Sequence, residues 1–174
     1  MWMTPSGIPR YNLQEKDLVK VHLETHRTVS YGSSSSTNTK LKPSIEWHMH
    51  ASIYNKLSSV NAVVHTHSPY TLAIAISVNE FQHIIEEAKI VVGNPVIIPN
   101  KPSGSIELAN TVSNAFEGEK KEEEEQVKAV IIRNHGVVSI GNNIYQACAV
   151  IESLEEWAKI YTISKIFDGP KYVL

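Results

Sequence analysis

The strongest constraint on the fold is a change of hydrophobic period late in the chain. Residues 127–133 (VKAVIIR) and 137–140 are short β-branched runs, whereas in residues 143–167 Ile144, Ala147, Cys148, Ile151, Leu154, Ala158 and Tyr161 recur at three- and four-residue spacing. The first pattern suits a pleated strand; the second gathers apolar groups on one stripe of a helix. Two strands followed by a long amphipathic helix require a sheet for that helix to cover. Asn143 with Gln146 three residues on marks the helix start as a capping box, and Gly169-Pro170 follows its end.

The rest of the chain interleaves the same two patterns. Residues 61–67 (NAVVHTH) and 91–99 read as further strands, and residues 44–57 and 105–116 as helices, with Ser44 after Pro43 as an N-cap. Residues 31–42 (YGSSSSTNTKLK) read as an exposed loop, and residues 117–128 (EGEKKEEEEQVK) as a solvated helix end or loop. Nothing repeats at a period of roughly 20–50 residues. With 174 residues and 42% apolar side chains, the chain is expected to form one domain, residues 1–174, of α/β or α+β class.

Charge and composition exclude several roles. Sixteen Lys plus Arg against eighteen Asp plus Glu give a formal charge of −2, with no basic excess to grip a phosphate backbone, so no nucleic-acid partner is expected. No apolar run approaches the roughly 20 residues that cross a bilayer, so no membrane partner is expected. Residues 1–10 lack a signal-peptide pattern, which leaves the cytoplasm as the expected compartment. Cys148 is the only cysteine and lies on the apolar stripe of the last helix, where it reads as core.

The chemistry concentrates in the histidines. In a strand, His65 and His67 project to the same face and form a two-point metal clamp; the plain alternative is two polar residues on a half-exposed strand. His135 lies where an apolar strand ends, before Gly136 permits a tight turn. That position suits a third ligand or an ordinary hydrogen-bonded surface residue. Three neutral imidazoles with an open position define a catalytic metal geometry, and zinc suits nitrogen donors. Glu46 falls in the first helical turn after Ser44. The helix dipole favours a carboxylate there, and as a general base it would take a proton from the carbon beside a polarised carbonyl. His48 and His50 face different directions on that helix, His48 reading as surface and His50 as packing or support for the ligands. Thr4-Pro5-Ser6-Gly7 offers N–H and hydroxyl donors to an anion, or is simply a turn. Glu86 and Glu87 read as solvated.

Ser44-Ile45-Glu46-Trp47, Ala62-Val63-Val64-His65-Thr66-His67-Ser68 and Arg133-Asn134-His135-Gly136-Val137-Val138, in this order, resemble the class II aldolase family of L-fuculose-phosphate aldolase and L-ribulose-5-phosphate 4-epimerase, which also includes the adducin head. The stretch 102–108 resembles the family's Pro/Gly-containing approach to a helix with an E-L-A sequence. The resemblance implies a three-layer α/β/α fold around a mainly antiparallel sheet, and a homotetramer with active sites between subunits. It also implies one zinc ion held by His65, His67 and His135, with Glu46 as the acid/base. The metal would chelate a ketose through its carbonyl and a neighbouring hydroxyl oxygen and offset the negative charge left by carbon–carbon cleavage.

Against the family pattern, the chain is expected to begin past an N-terminal helix and a G-N-x-S phosphate loop, and Ile45 stands where a second serine is common. Ser6, Gly7 and Ser44 remain as candidate phosphate-binding residues. Tyr172 matches the family's C-terminal tyrosine only loosely, and the proton donor on the aldehyde side, near residues 86–88, has no assignment. The expected partner is a small-molecule sugar or sugar phosphate, and the expected activity is zinc-dependent, reversible cleavage of a small ketose, a ketose 1-phosphate such as L-fuculose 1-phosphate, to dihydroxyacetone phosphate and an aldehyde. The alternatives on this scaffold are a 4-epimerase, a methylthioribulose-1-phosphate dehydratase, or a non-catalytic adducin-like interaction module.

Overall fold

The computed structural model describes residues 1–30, 40–79, 82–118 and 127–174. Its first strands, β1 (Trp2–Met3), β2 (Val19–Val21) and β3 (Thr28–Ser30), form a small antiparallel sheet that the sequence patterns do not announce, being two or three residues each. Met3, Val19 and Val21 are buried among its described side chains. Then follow α1 (Trp47–Lys56), β4 (Ala62–Thr66), α2 (Pro69–Ser77), α3 (Glu86–Val92), β5 (Val96–Ile98), α4 (Ile106–Glu117), β6 (Ala129–Ile132), β7 (Gly136–Gly141) and α5 (Ile144–Ser164).

The second sheet runs β4-β7-β6-β5. Its β4–β7 and β7–β6 pairs are antiparallel and its β6–β5 pair is parallel, so the sheet is mixed and mainly antiparallel. Period two sorts its side chains between two helical layers. Val130 and Ile132 of β6, with Val138 and Ile140 of β7, pack against Met49 and Ile53 of α1 and Leu108, Val112 and Phe116 of α4. Ala129, Ile131 and Val137 face the other way, toward Ala88 and Val92 of α3 and Leu154 and Trp157 of α5. All four residues of β6 have no solvent exposure. Burying each of its larger side chains stabilises by about 1.5–3 kcal/mol, which makes β6 a firm base for the turn that follows. This is the α/β architecture expected, with helices on both faces of the sheet.

Several boundaries depart from the sequence reading. Residues 91–99 are not one strand. Val92 is helical, because Ala88 and Val92 stack one turn apart toward α5 while Glu86 and Glu87 stay exposed in the first turn; Gly93, at φ 67°, ends the helix and leaves β5 with three residues. Ser44 is not the N-cap of α1. The cap position belongs to Glu46, and Ser44 opens the preceding turn, its carbonyl accepting from Trp47 N–H at 3.1 Å and its Oγ from Glu46 N–H at 3.4 Å. Asn143 does cap α5 by accepting from Gln146 N–H at 3.0 Å, but the Gln146 side chain accepts from Asn142 N–H, one residue earlier than a capping box requires. Residues 165–167 leave α5 as a 3₁₀ turn. Cys148 is half-buried beside a cavity rather than sealed in the core. Most of the expected loop 31–42 and of the charged segment 117–128 lies outside the described residues. Among the described residues no helix is long and apolar enough to cross a membrane.

Candidate metal centre

Three chain segments meet at one end of the larger sheet. β4 pairs with β7 so that His65 lies opposite Val138 and Thr66 opposite Val137, with His67 just beyond the strand end. β6 and β7 are joined through Arg133, Asn134 and His135, with Ile132 paired to Gly136; Asn134 takes the left-handed conformation at φ 58°, and His135 N–H donates to Ile132 O at 3.1 Å. This tight return swings His135 over the end of β4. Gly136 makes the approach sterically feasible. A Cβ there would lie 2.6 Å from Thr66 O, 2.7 Å from His65 Cε1 and 2.9 Å from His67 Cδ2.

The three imidazoles converge. Ring centroids are 5.1 Å apart for His65–His67, 5.1 Å for His65–His135 and 5.6 Å for His67–His135, and one ring nitrogen from each lies within 4.8 Å of the other two. His65 Nδ1–H donates to Val137 O at 3.0 Å, which fixes the tautomer and leaves the Nε2 lone pair free. That Nε2 is buried and has no hydrogen-bond partner among the described residues, as is true of His135 Nδ1. A buried nitrogen without a partner is costly unless something outside the chain accepts its lone pair. Burial holds His65 down to about 3, the bond to Val137 O opposing it and the neighbouring His135, His50 and His67 adding to it. Burial also lowers His135, with the Glu46 charge acting the other way. Both rings are therefore neutral near pH 7, the form that binds a metal. Nitrogen donors from three rings, the third of them on the exposed His67, fit a divalent cation of borderline softness with a coordination position left for substrate.

Glu46 borders this cluster. It is 6% exposed; Oε1 lies 3.5 Å from His135 Nε2, and Oε2 accepts from Gly104 N–H at 3.2 Å. With His135 neutral, the first contact is a polar approach rather than an ion pair. Gly104 is a residue whose role the sequence reading missed. It sits at φ +71°, and a Cβ on it would lie 2.9 Å from Ile45 O, so only glycine brings that N–H to the carboxylate without displacing the turn ahead of α1. The signal was the Pro102-Ser103-Gly104-Ser105 approach to α4, whose Ser105 caps the helix by accepting from Leu108 N–H at 3.0 Å.

The remaining candidates fall in two groups. Pro5 bridges Pro43 in antiparallel fashion; Ser6 N–H donates to Lys42 O at 2.9 Å and Ser44 N–H to Thr4 O at 3.0 Å, so both backbone donors are already used. Ser44, Thr4 and Arg10 line a cavity of about 640 Å³ shared with His50, His65 and Thr66, whereas Ser6 and Gly7 are exposed and lie outside its lining. Arg10 is a cationic neighbour that the sequence reading did not single out. His50 is buried, and desolvation with the Arg10 charge lowers it to about 4. His48 is half-buried rather than free on the surface, with its ring 3.6 Å from that of Trp47 and edge-on to His26. Tyr172 is exposed in the C-terminal tail.

A histidine triad at the end of a helix-covered mixed sheet, with a buried carboxylate alongside, defines an α/β protein with a candidate metal centre. Residues 1–162 match the family model of the class II aldolase and adducin N-terminal domain. An L-fuculose phosphate aldolase of Methanococcus maripaludis (strain C7) is 33% identical over 167 residues, covering 95% of this chain and 81% of the relative. A 5-deoxy-D-ribulose 1-phosphate aldolase of Bacillus thuringiensis is 32% identical over 169 residues, 97% of this chain and 71% of the relative. A solved structure of an L-fuculose 1-phosphate aldolase superposes with a TM-score of 0.78 at 28% identity, over 100% of this chain and 74% of that one. The chain belongs to the class II aldolase and adducin N-terminal domain family, and within it to the aldolases, which are lyases.

Proposed function

We propose that this chain is a zinc-dependent aldolase that reversibly cleaves a ketose 1-phosphate to dihydroxyacetone phosphate and an aldehyde. The observation that carries the reading is the convergence of His65, His67 and His135 beside the Glu46 carboxylate. A relative named for 5-deoxy-D-ribulose 1-phosphate, another named for L-fuculose phosphate and a solved structure named for L-fuculose 1-phosphate support the substrate class. His65, His67 and His135 would hold the ion. When bound, zinc supplies a Lewis-acid charge that polarises the ketose carbonyl and its neighbouring hydroxyl.

Glu46 handles the proton. Its Oε2 is anchored by Gly104 N–H, which leaves Oε1, on the side of His135, to take the proton from the hydroxyl-bearing carbon beside the carbonyl during condensation and return it to that carbon after cleavage. A carboxylate tethered at one oxygen keeps its other oxygen in place for this exchange. Ser44 is the residue we assign to the phosphate, joined by Arg10, which lines the same cavity as Ser44 and His65. Ser6 and Gly7, expected to share that role, are exposed outside this lining, and we keep only the Ser6 hydroxyl and the Gly7 N–H as donors a phosphate could reach from the cavity's edge. The family resemblance further supports a homotetramer with active sites at subunit interfaces, working in the cytoplasm.

The test is product analysis with zinc-loaded protein given L-fuculose 1-phosphate and 5-deoxyribulose 1-phosphate. Dihydroxyacetone phosphate, read by coupled reduction with NADH, is expected from one or both and is abolished by a chelator. Formation of an epimeric ketose or a diketone without dihydroxyacetone phosphate would replace the reading by a 4-epimerase or a dehydratase.

A further inference from the structure

α2 begins two residues after His67 and ends against a side chain that lies two residues before His135. Both of its ends are held by side chains from other elements. Ser68 occupies the N-cap, a residue type whose hydroxyl ordinarily accepts from the second or third amide of the helix, yet it makes no such bond. Its Oγ pairs instead with Thr66 Oγ1 at 2.8 Å, between the two histidines of the strand end. The amides left open are taken from across the structure by Glu155 of α5. Tyr70 N–H donates to Oε1 at 2.9 Å, Thr71 N–H to Oε2 at 2.9 Å and the Thr71 hydroxyl to Oε2 at 2.8 Å. Thr71 is fully buried and Ser68 nearly so. One carboxylate thus satisfies three donors at the positive end of the helix.

The other end carries the opposite charge. The Arg133 guanidinium donates to Ala75 O, to Val78 O at 3.2 Å and to Asn79 Oδ1 at 3.0 Å, covering the carbonyls that the last turn leaves unpaired. Arg133 belongs to the β6–β7 turn that presents His135, and Glu155 belongs to the helix that covers the sheet. α2 is therefore a strut between the loop that ends in one imidazole and the turn that carries another. A local serine cap would have sufficed to start the helix; the remote carboxylate adds a tie between the segment after His67 and the rigid body of α5.

We propose that Glu155 and Arg133 are positioning residues for the metal, clamping α2 so that His67 and His135 stand at binding separation before an ion arrives. This rests on the metal-site reading above. Groups hydrogen-bonded directly to metal-binding side chains alter affinity roughly 10–100-fold when changed, and a clamp that acts through α2 is expected at the lower end of that range. Glu155→Gln places an amide N–H₂ against a donor in the α2 cap, and Arg133→Ala frees the opposite end.

The experiment is titration of the metal-free full chain with cobalt(II), reading the dissociation constant and the visible absorption spectrum of the saturated site, with the melting temperature measured in parallel. Glu155→Gln and Arg133→Ala are each expected to weaken cobalt binding about tenfold or more and to change the spectrum. Arg133→Lys is expected to recover part of the loss, and the double variant to lose less than the product of the single losses, because both act through one helix. Thr71→Val, which removes one of the three bonds and keeps the side-chain shape, is expected to move affinity in the same direction by less. It keeps the test open if Glu155→Gln fails to fold. Glu152→Gln, an exposed carboxylate one turn away on α5, is the control and leaves affinity unchanged. Lowered melting temperatures with unchanged affinity and spectrum in the Glu155 and Arg133 variants would overturn the assignment and make the clamp purely structural. A parent protein that takes up no cobalt would overturn the metal reading itself, and the positioning role with it.

Discussion

The Glu46 carboxylate bridges two loops: Oε1 lies 3.5 Å from His135 Nε2 and Oε2 accepts from Gly104 N–H at 3.2 Å. A side chain held this way contributes to catalysis through its basicity, which Gln lacks, and through its place, which Gln keeps. Glu46→Gln is therefore expected to retain metal content close to the parent while cleavage falls about 10²–10⁴-fold, the usual worth of a positioned acid/base. Metal analysis by atomic emission beside the coupled assay checks both halves. Unchanged turnover would remove the acid/base role.

Gly104 offers a way to separate the orientation of Glu46 from its presence. Gly104→Ala adds a Cβ 2.9 Å from Ile45 O at a positive φ, so the turn must shift and the N–H to Oε2 with it. The expected outcome is a fall in kcat with metal affinity within about twofold of the parent, since the atoms nearest that Cβ all belong to Ile45 and not to His65, His67 or His135. Steady-state kinetics and a zinc titration distinguish this from general disruption, which would lower both.

At Gly136 the expectation reverses. An alanine Cβ would meet Thr66 O at 2.6 Å and the His65 and His67 rings at 2.7 and 2.9 Å, and the strand pairing on both sides of β7 leaves the backbone no room to retreat. Gly136→Ala should cost about 1–3 kcal/mol of stability, as overpacking does, and weaken zinc binding at least tenfold by splaying the two rings. Chemical denaturation of the metal-free protein gives the first number and a competition titration the second. Parent-like zinc affinity in this variant would mean that the rings do not need their present approach.

Much of this site was legible because it depends on short-range rules. Alternation on one strand puts His65 and His67 on a common face, and an apolar strand ending in Asn134-His135-Gly136 marks a tight return. What stayed hidden depends on contacts between distant segments. Nothing near Gly104 in sequence announces that its amide serves Glu46, 58 residues away, and nothing near Glu155 announces that it caps a helix 84 residues earlier. The strand expected at 91–99 failed for a related reason: Val91 and Val92 have strand propensity, but the packing of Ala88 and Val92 on α5 outweighs it. Ser44 illustrates a smaller failure. The residue type is right for a helix start, yet the chain spends it on a turn that lifts Glu46 into the cap position.

His50 links the site's surroundings to pH. Buried in α1, it is lowered from 6.5 to about 4, chiefly by desolvation and secondarily by the Arg10 charge. In the unfolded chain the same imidazole takes a proton near its ordinary value, so between those two values the unfolded state binds more protons than the folded one. Stability is then complete above about pH 6.5 and declines as pH falls toward 4, below which this group adds no further slope. At 1.36 kcal/mol per unit, the difference is about 3 kcal/mol. Because His65 is lowered as well, the measurement compares parent with His50→Gln, both metal-free, by urea denaturation from pH 7 to 4. The parent is expected to lose about 3 kcal/mol more than the variant across that range; parallel curves would show that His50 takes up its proton without unfolding the helix that carries Glu46.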